Sequence, residues 1–374
     1  MMQASALPAA GLLAIDNPAH IAPTTKSTGY YASVEAVQAN DAVPVREYAS
    51  EWTTGYSPRS GENLGLLSVR AETGWQWTNS RLGVVYRAEA LVQANRDTHD
   101  FVWQFDTGQS FGTARTYHIN YRIHGFEASG LRFSHQFSMP IDPAWHLQVG
   151  VGASLLTGKR LKIETVSGQV LVASNWDAHI AQNLQDSHQD ISGNGKFNPP
   201  FGAQPGVSGQ GYSSDVGLVL QHSSGLVLEA AINDVQGYIH WKNLPSYVAD
   251  YNTATQSYDA KGYVQFNPSA SSQSRFIEFE QLLHPKIWLA ARYPVGHVEC
   301  ELGSSLTQGQ SFPQWGLTYT AAAPWHTFMN YDTHFGTLEL GLRNTWLDVS
   351  FRSDHLDLNQ AKAYGVAVGF HLGF

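Results

Sequence analysis

A single cysteine, Cys300, is the only thiol in 374 residues, which excludes an intramolecular disulfide framework and any zinc site built from clustered cysteines. Charge is scarce as well: Asp, Glu, Lys and Arg make up 14% of the chain, against roughly 25% in ordinary soluble domains. Basic runs are missing, and a net charge of −9 argues against a nucleic-acid partner, which needs clustered Lys and Arg. Nowhere does the chain offer the roughly 18 consecutive apolar residues that a membrane-crossing helix requires. The stretch from Met1 to Gly11 has neither the basic region nor the long apolar region of a secretory signal, so any such signal is expected to have been removed already or to lie outside this chain. If a membrane is involved, strands must cross it.

What the chain has instead is aromatics, 12% with 11 Trp and 17 Tyr, a mean hydropathy of −0.26, and alternation of period two from end to end. Alternation places successive side chains on opposite faces of a strand. In 63–77, Leu67, Val69, Ala71, Thr73, Trp75 and Trp77 oppose Ser68, Arg70, Glu72 and Gln76. In 81–95, Leu82, Val84, Tyr86, Ala88 and Val92 oppose Arg87, Glu89, Gln93 and Asn95. Tyr117, Ile119, Tyr121 and Ile123 oppose His118, Asn120, Arg122 and His124, and Trp145, Leu147, Val149, Val151 and Leu155 oppose His146, Gln148 and two glycines. The rule returns with Glu299 and Glu301 against Val298, Cys300 and Leu302, with Glu339 and Arg343 against Leu338, Leu340 and Leu342, and with Asp348 and Arg352 against Leu347, Val349 and Phe351.

A soluble sandwich also alternates. Here several segments run 11 to 15 residues, which suits a strand tilted across a bilayer better than the usual globular strand of about 5–6 residues. Aromatics such as Trp75, Trp77, Trp145, Trp315, Tyr319, Tyr331 and Phe335 stand near segment ends, where a barrel places its interfacial girdles. Charges on a lipid face would cost roughly 2–4 kcal/mol each near the midplane. The expected fold is therefore an all-β, closed antiparallel transmembrane barrel of about 14 strands, within a range of 12–16. Short turn signals at 78–80, 140–143, 157–158, 223–225 and 294–296 alternate with longer connections, of which 175–209 and 242–257 are the longest candidates; 160–174 and 258–266 are ambiguous. Lys362 alone falls out of phase, at a strand mouth.

The last segment alternates to the final residue, with Tyr364, Val366, Val368, Phe370, Leu372 and Phe374 on one face and mostly glycine on the other. It resembles the C-terminal signal of bacterial outer-membrane barrels, which implies outer-membrane lipid, lipopolysaccharide and the barrel assembly machinery as partners through Phe370, Leu372 and Phe374. Residues 1–27 do not alternate, and Asn17-Pro18-Ala19 resembles an element in the N-terminal hatch of the long-chain fatty-acid transporter family. The glycine-rich stretch from Gly209 to Leu218 is similar to a mid-barrel strand of relatives of that family. The resemblance implies two parts, a hatch or periplasmic segment at 1–27 and the barrel at 28–374.

Chemical motifs carry less. His222 and Ser224, two apart on an outward face, resemble the His and Ser of lipid-modifying barrels, but a nucleophile also needs a base held by a third group, and Gly225 stands where that family has Asn. Asp354-His355 resembles half of a protease barrel's acid and histidine pairs, without a second acidic pair. His118 and His124 share a face at a spacing that puts them about 20 Å apart along a strand, too far for one metal. Asp186, His188 and Asp190 sketch an oxygen-ligand calcium loop whose glycine comes late and whose closing glutamate is missing. The expectation is no enzyme, no cofactor and no metal.

The inward charges Arg70, Glu72, Arg87, Glu89, Arg122, Glu299, Glu301, Glu339, Arg343, Asp348 and Arg352 admit two outcomes. They line a watered pore that selects small or hydrophobic solutes, or they cross-link the lumen of a structural barrel serving a secretion, conjugation or surface-appendage system, with a protein partner at its loops or turns. The first, a channel or transporter, is the expected function.

Overall fold

The computed structural model describes residues 11–21, 28–47, 55–108, 114–172, 177–188, 206–253, 256–258, 264–266, 269–320 and 324–373. The strands are β1 (Thr28–Asn40), β2 (Glu62–Trp77), β3 (Ser80–Asn95), β4 (Arg115–Pro140), β5 (Trp145–Val172), β6 (Asp177–Asp186), β7 (Ser208–His222), β8 (Val227–Asn252), β9 (Gln256–Tyr258), β10 (Val264–Phe266), β11 (Ala270–Leu282), β12 (Lys286–Val295), β13 (Val298–Thr307), β14 (Gln310–Tyr319), β15 (His326–Asp332), β16 (Leu338–Arg343), β17 (Leu347–Ser353) and β18 (Ala363–Gly373), with one helix, α1 (Arg96–Asp106), after β3.

β1 pairs with β2 on one side and with β18 on the other, from Gly29 against Gly373 to Ala39 against Ala363. That pairing closes the sheet into a ring of fourteen, β1 to β5, β7, β8 and β12 to β18, every neighbour antiparallel. Closure abolishes the free edges that an open sheet would expose. β6 and β7 are collinear: β5 pairs with β7 through Gly158 and with β6 from Lys162 to Leu171. β11 and β12 likewise share one course beside β8. Between them lie Leu283, His284 and Pro285, the last unable to donate a ladder hydrogen bond. Opposite this break β8 bulges at Asp234, whose φ is +59°.

The connections at one end of the ring are short, as after β2, β4, β7, β12, β14 and β16; the other end carries α1 and the longer connections. The loop end is uneven. β4, β5 and β8 run 26, 28 and 26 residues, whereas β15, β16 and β17 run 7, 6 and 7. β13 and β14 turn back early through Gln308 and Gly309, at φ +48° and +78°, the conformation of a two-residue hairpin turn.

Of the two longest expected loops, one is strand in part, with residues 189–205 outside the described residues, and the other is mostly strand. Residues 175–209 contain β6, whose Asp177–Asp186 run has polar residues on both faces and so lacks an apolar alternation, and 242–257 is mostly the upper part of β8, which accommodates Pro245 opposite Phe276. The ambiguous 160–174 is the upper half of β5; most of 258–266 lies outside the described residues. Helix α1 was not expected. Asn95 caps it, its side-chain oxygen accepting from Thr98 N at 3.0 Å, and Phe101 meets Tyr117 at 5.6 Å between ring centroids. Tyr117 and Ile119 are thereby buried in a small cluster with Val170 and Val172 rather than turned to lipid.

Below that level the ring presents an apolar outer face: Leu82, Val84, Leu131, Phe133, Val151, Leu155, Leu218, Leu289, Leu302, Leu340 and Phe351 are all exposed. Trp75, Trp77, Trp325, Trp346 and Tyr319 stand exposed toward the turn end, and Trp346 meets Phe370 edge-on at 6.2 Å. Phe335, expected in a girdle, is buried against Phe312 inside. An apolar outer band with aromatics at its border and charges buried within is the inversion that a bilayer imposes on a barrel.

Candidate functional site: the barrel interior

Alternation fixes which residues face inward, and closure decides which of them meet. In the half nearer the turn end, Arg132 of β4 reaches across to Asp215 of β7 at 2.7 Å and to Asp16 of the N-terminal segment at 2.8 Å. Arg81 of β3 also binds Asp16. Glu72 accepts from Arg70 at 2.8 Å and from the Tyr31 hydroxyl at 2.7 Å, with Arg132 3.7 Å away. A second group begins where Asp234 N donates to Asp215 Oδ1 at 3.0 Å. The bulge turns Asp234 inward, where Arg87 holds both its oxygens, Ser213 donates to it, and Lys286 stands 3.9 Å away and binds Glu89. On the short side Glu339 accepts from Arg352 at 2.8 Å and Asn330 at 3.0 Å, and Arg343 pairs with Asp348.

Residues 11–21 lie inside this ring, with Leu12, Leu13, Ala14, Asn17, Ala19 and Ile21 buried. The segment is held by polar contacts from four strands. Ala14 N donates to Ser68 Oγ at 2.9 Å, Asp16 N to Asn233 Oδ1 at 2.9 Å, and Ile21 N to Gln136 Oε1 at 3.1 Å. Asn17 donates to Glu229 Oε1 at 2.8 Å and closes its own turn by accepting from Ala19 N at 2.9 Å. His20 Nε2 lies 2.8 Å from Glu229, which Arg292 also binds; Arg292 lies 3.6 Å from Glu301. The wall makes room with glycine. A Cβ at Gly150 would fall 2.1 Å from Ala19 N, and one at Gly217 1.9 Å from Asn17 Oδ1.

Toward the loop end the interior turns apolar. Trp241 is fully buried with Val85, Phe126, Leu156, Leu161, Ile239 and Leu244, its ring seated over Gly158 and Gly209, and its Nε1 donates to Gln281 at 3.0 Å. Leu12, Leu13 and Ile15 join a separate cluster with Leu64, Leu66, Leu91, Trp288 and Phe312. Between segment and wall a small recess, open to solvent on one side, has Leu13, Leu66, Leu91 and Phe126 on its apolar side and Ser68, Glu89, Lys286, His124, His284, Thr307 and Gln308 on its polar side. Its volume is about 30 Å³, room for about one or two waters.

Of the charges expected inside, Arg70, Glu72, Arg87, Glu89, Glu301, Glu339, Arg343, Asp348 and Arg352 enter these pairings. Glu299 is half-buried near the turn end, and Arg122 keeps the inward phase but stands exposed at the tall rim. Asp16, Arg81, Arg132, Asp215, Glu229, Asp234, Lys286 and Arg292 escaped the sequence reading. Arg132 was legible, since Leu131 and Phe133 alternate around it; Asp234 was not, because the bulge breaks its phase. Phe370 and Leu372 keep the outward phase of β18, half-buried and exposed, and Phe374 lies outside the described residues. His222 Nδ1 meets Ser224 Oγ at 2.8 Å and accepts from Ser224 N at 3.1 Å, inside a hairpin turn closed by His222 N to Leu226 O, and among the described residues no carboxylate orients that imidazole. Most of the calcium-loop candidate, from 189 on, lies outside the described residues.

A model of a family described as being of unknown function, DUF5723, matches residues 52–364. No curated protein sequence matches. Among solved structures, a deletion mutant of the monoaromatic hydrocarbon channel TodX aligns at a TM-score of 0.47 with 11% identity, covering 96% of this chain and 93% of that one. A Pseudomonas aeruginosa FadL homologue aligns at 0.39 with 11% identity over 95% and 91%, and the P. putida toluene transporter TodX at 0.28 with 10% over 96% and 93%. None of the three reaches a TM-score of 0.5.

Proposed function

The chain belongs to the DUF5723 family, and we propose that it is an outer-membrane channel for small hydrophobic solutes, closed in this structure by its N-terminal segment. In this reading residues 1–27 are the hatch, 28–374 the barrel, and the β18 residues through Phe374 the address read during assembly. The observation that carries it is the recess at the seam between segment and wall. Leu13, Leu66, Leu91 and Phe126 give it an apolar side, the Glu89 and Lys286 pair neutralises charge on its polar side, and Leu13 belongs to a piece of chain held in the lumen by noncovalent contacts alone. Withdrawal of that piece enlarges the recess toward the few hundred Å³ typical of small-molecule sites. The lumen charges then act mainly on the hatch. Arg81 and Arg132 hold Asp16, and Glu229 holds Asn17 and His20.

One observation favours a second reading, a sealed structural barrel. Trp241 and the ion pairs from Arg87 to Asp234 and from Arg132 to Asp215 come from the wall itself, so part of the filling would remain if the segment left. Purification from the native membrane in mild detergent separates the two. Reconstituted protein that admits small apolar probes without a stoichiometric companion supports the channel; an impermeable barrel that always brings the same partner supports the scaffold.

A further inference from the structure

The ring is far from uniform in height on its lipid side. On β3 and β5, outward apolar residues run from Leu82 to Ala90 and from Leu147 to Leu155, whereas β16 offers only Leu338, Leu340 and Leu342. Those three rows continue across Tyr331, Met329 and Thr327 of β15 and Trp315, Leu317 and Tyr319 of β14. At about 3.4 Å per residue and a tilt of about 40°, six residues rise about 13 Å, against an apolar band of about 25 Å in a membrane barrel. The turn end cannot absorb the difference, because exposed aromatics mark that border on both sides, Trp75 and Trp77 on the tall wall and Trp325 and Trp346 on the short one.

What lies directly above the short wall is polar. Exposed Thr333 follows β15, and Asp354, His355, Asp357, Asn359 and Gln360 follow β17. Immersing these side chains in hydrocarbon would cost several kcal/mol for each unsatisfied group. Yet the same connection carries Leu356, fully exposed at 104%, and Leu358, half exposed at 50%, next to a wall that already faces lipid through Val349 and Phe351. An apolar pair beside a polar run fits the boundary between headgroups and acyl chains.

We propose that the bilayer thins against the face formed by β15, β16 and β17, and that Leu356 and Leu358 rest at the headgroup boundary of the depressed leaflet. The partner is the lipid of the loop-end leaflet, recognised by hydrophobic mismatch. A solute reaching the mouth from this side crosses less hydrocarbon than one approaching the tall wall. The inference rests on the strand lengths and does not depend on whether the lumen conducts.

The test compares two positions that stand four residues above the lowest aliphatic outward residue of their strands, Leu338 over Leu342 and Val151 over Leu147. The full chain, with Cys300→Ser, receives Leu338→Cys or Val151→Cys, is labelled with a fluorophore, and is folded into vesicles of lipids brominated at defined depths. The proposal expects quenching at Val151 to peak with bromines deep in the acyl chains and at Leu338 with bromines near the headgroups. Equal depths at the two positions would overturn it. Tyr331→Cys, opposite Leu338 in register, gives the same reading should Leu338→Cys fail to fold. A label at Leu356→Cys should be quenched by shallow bromines, and one reached by aqueous iodide alone would overturn the anchoring.

Discussion

Replacing Gly217 by alanine sets one methyl group against the segment that fills the lumen. The added Cβ would lie 1.9 Å from Asn17 Oδ1, 2.9 Å from Pro18 Cδ and 3.0 Å from Ala19 N. Asn17 cannot swing aside cheaply, because its amide donates to buried Glu229 and its oxygen accepts from Ala19 N. Relieving the clash sacrifices both, about 1.5–3 kcal/mol for the bond to a carboxylate and about 0.5–1.5 for the turn bond. Together these are about 2–4 kcal/mol of docking, or roughly a thirtyfold to thousandfold shift toward the undocked segment at a decade per 1.4 kcal/mol. The wall should survive, since β7 keeps its ladders to β5 and β8. The assay is modification of the thiol introduced by Leu13→Cys in a Cys300→Ser background, followed over time in folded, vesicle-embedded protein. Labelling should accelerate at least thirtyfold in Gly217→Ala and not at all in Gly61→Ala, where a Cβ meets nothing within 4 Å. Labelling unchanged in Gly217→Ala would refute the claim that this glycine makes the seat of the Asn17 turn.

Other consequences follow from single residues. Asp16→Asn removes the carboxylate that Arg81 and Arg132 hold most closely together, leaving them Glu72 at 3.9 and 3.7 Å, and should lower the barrel's stability by about 1.5–3 kcal/mol, read from urea unfolding in vesicles. Trp241→Ala empties a site with no solvent exposure and should cost about 3–5 kcal/mol; Trp241→Phe or Trp241→Leu should retain part of that stability. Burial pushes the His99 imidazole on α1 down to about 4. Its folded pKa therefore lies below the unfolded 6.5 or so, the neutral form favours the docked helix, and that contribution is complete above the unfolded value and lost as pH falls through the window toward 4. Protease cleavage within α1 should rise between pH 7 and 4.5 in the native chain, and His99→Asn should flatten the profile.

The alternation of Leu131, Arg132, Phe133 and Ser134 shows why so much of the fold could be read from sequence: a lipid-facing strand has one admissible phase, and a charge in that phase must point inward. The same logic failed where no lipid imposes it. β6 rises beyond the apolar band and carries polar residues on both faces, and the upper part of β8 holds Pro245 and Asn243, the latter at φ +53°, so both resemble loops. Phe335 lies near a strand end like a girdle residue, yet it sits in a tight connection, where its N–H bonds to Asp332 and its ring turns inward. Which charges meet was beyond alternation altogether. Arg132 finds Asp215 and Asp16, 83 and 116 residues away, only because ring closure and the threaded segment bring them together. The short β16 was foreseen only as an alternating run, and its consequence for the bilayer depends on comparing it with β4 and β5.

The central claim is that residues 11–21 close a route for apolar solutes. It is tested most directly by vesicle uptake of an uncharged fluorescent hydrocarbon through the full chain and through a chain lacking residues 1–21, each with and without the substitution Trp241→Ala and each verified as folded. The account predicts that deletion raises uptake at least tenfold, and more so when Trp241→Ala is also present. Equal uptake by the full and shortened chains in both backgrounds would contradict it.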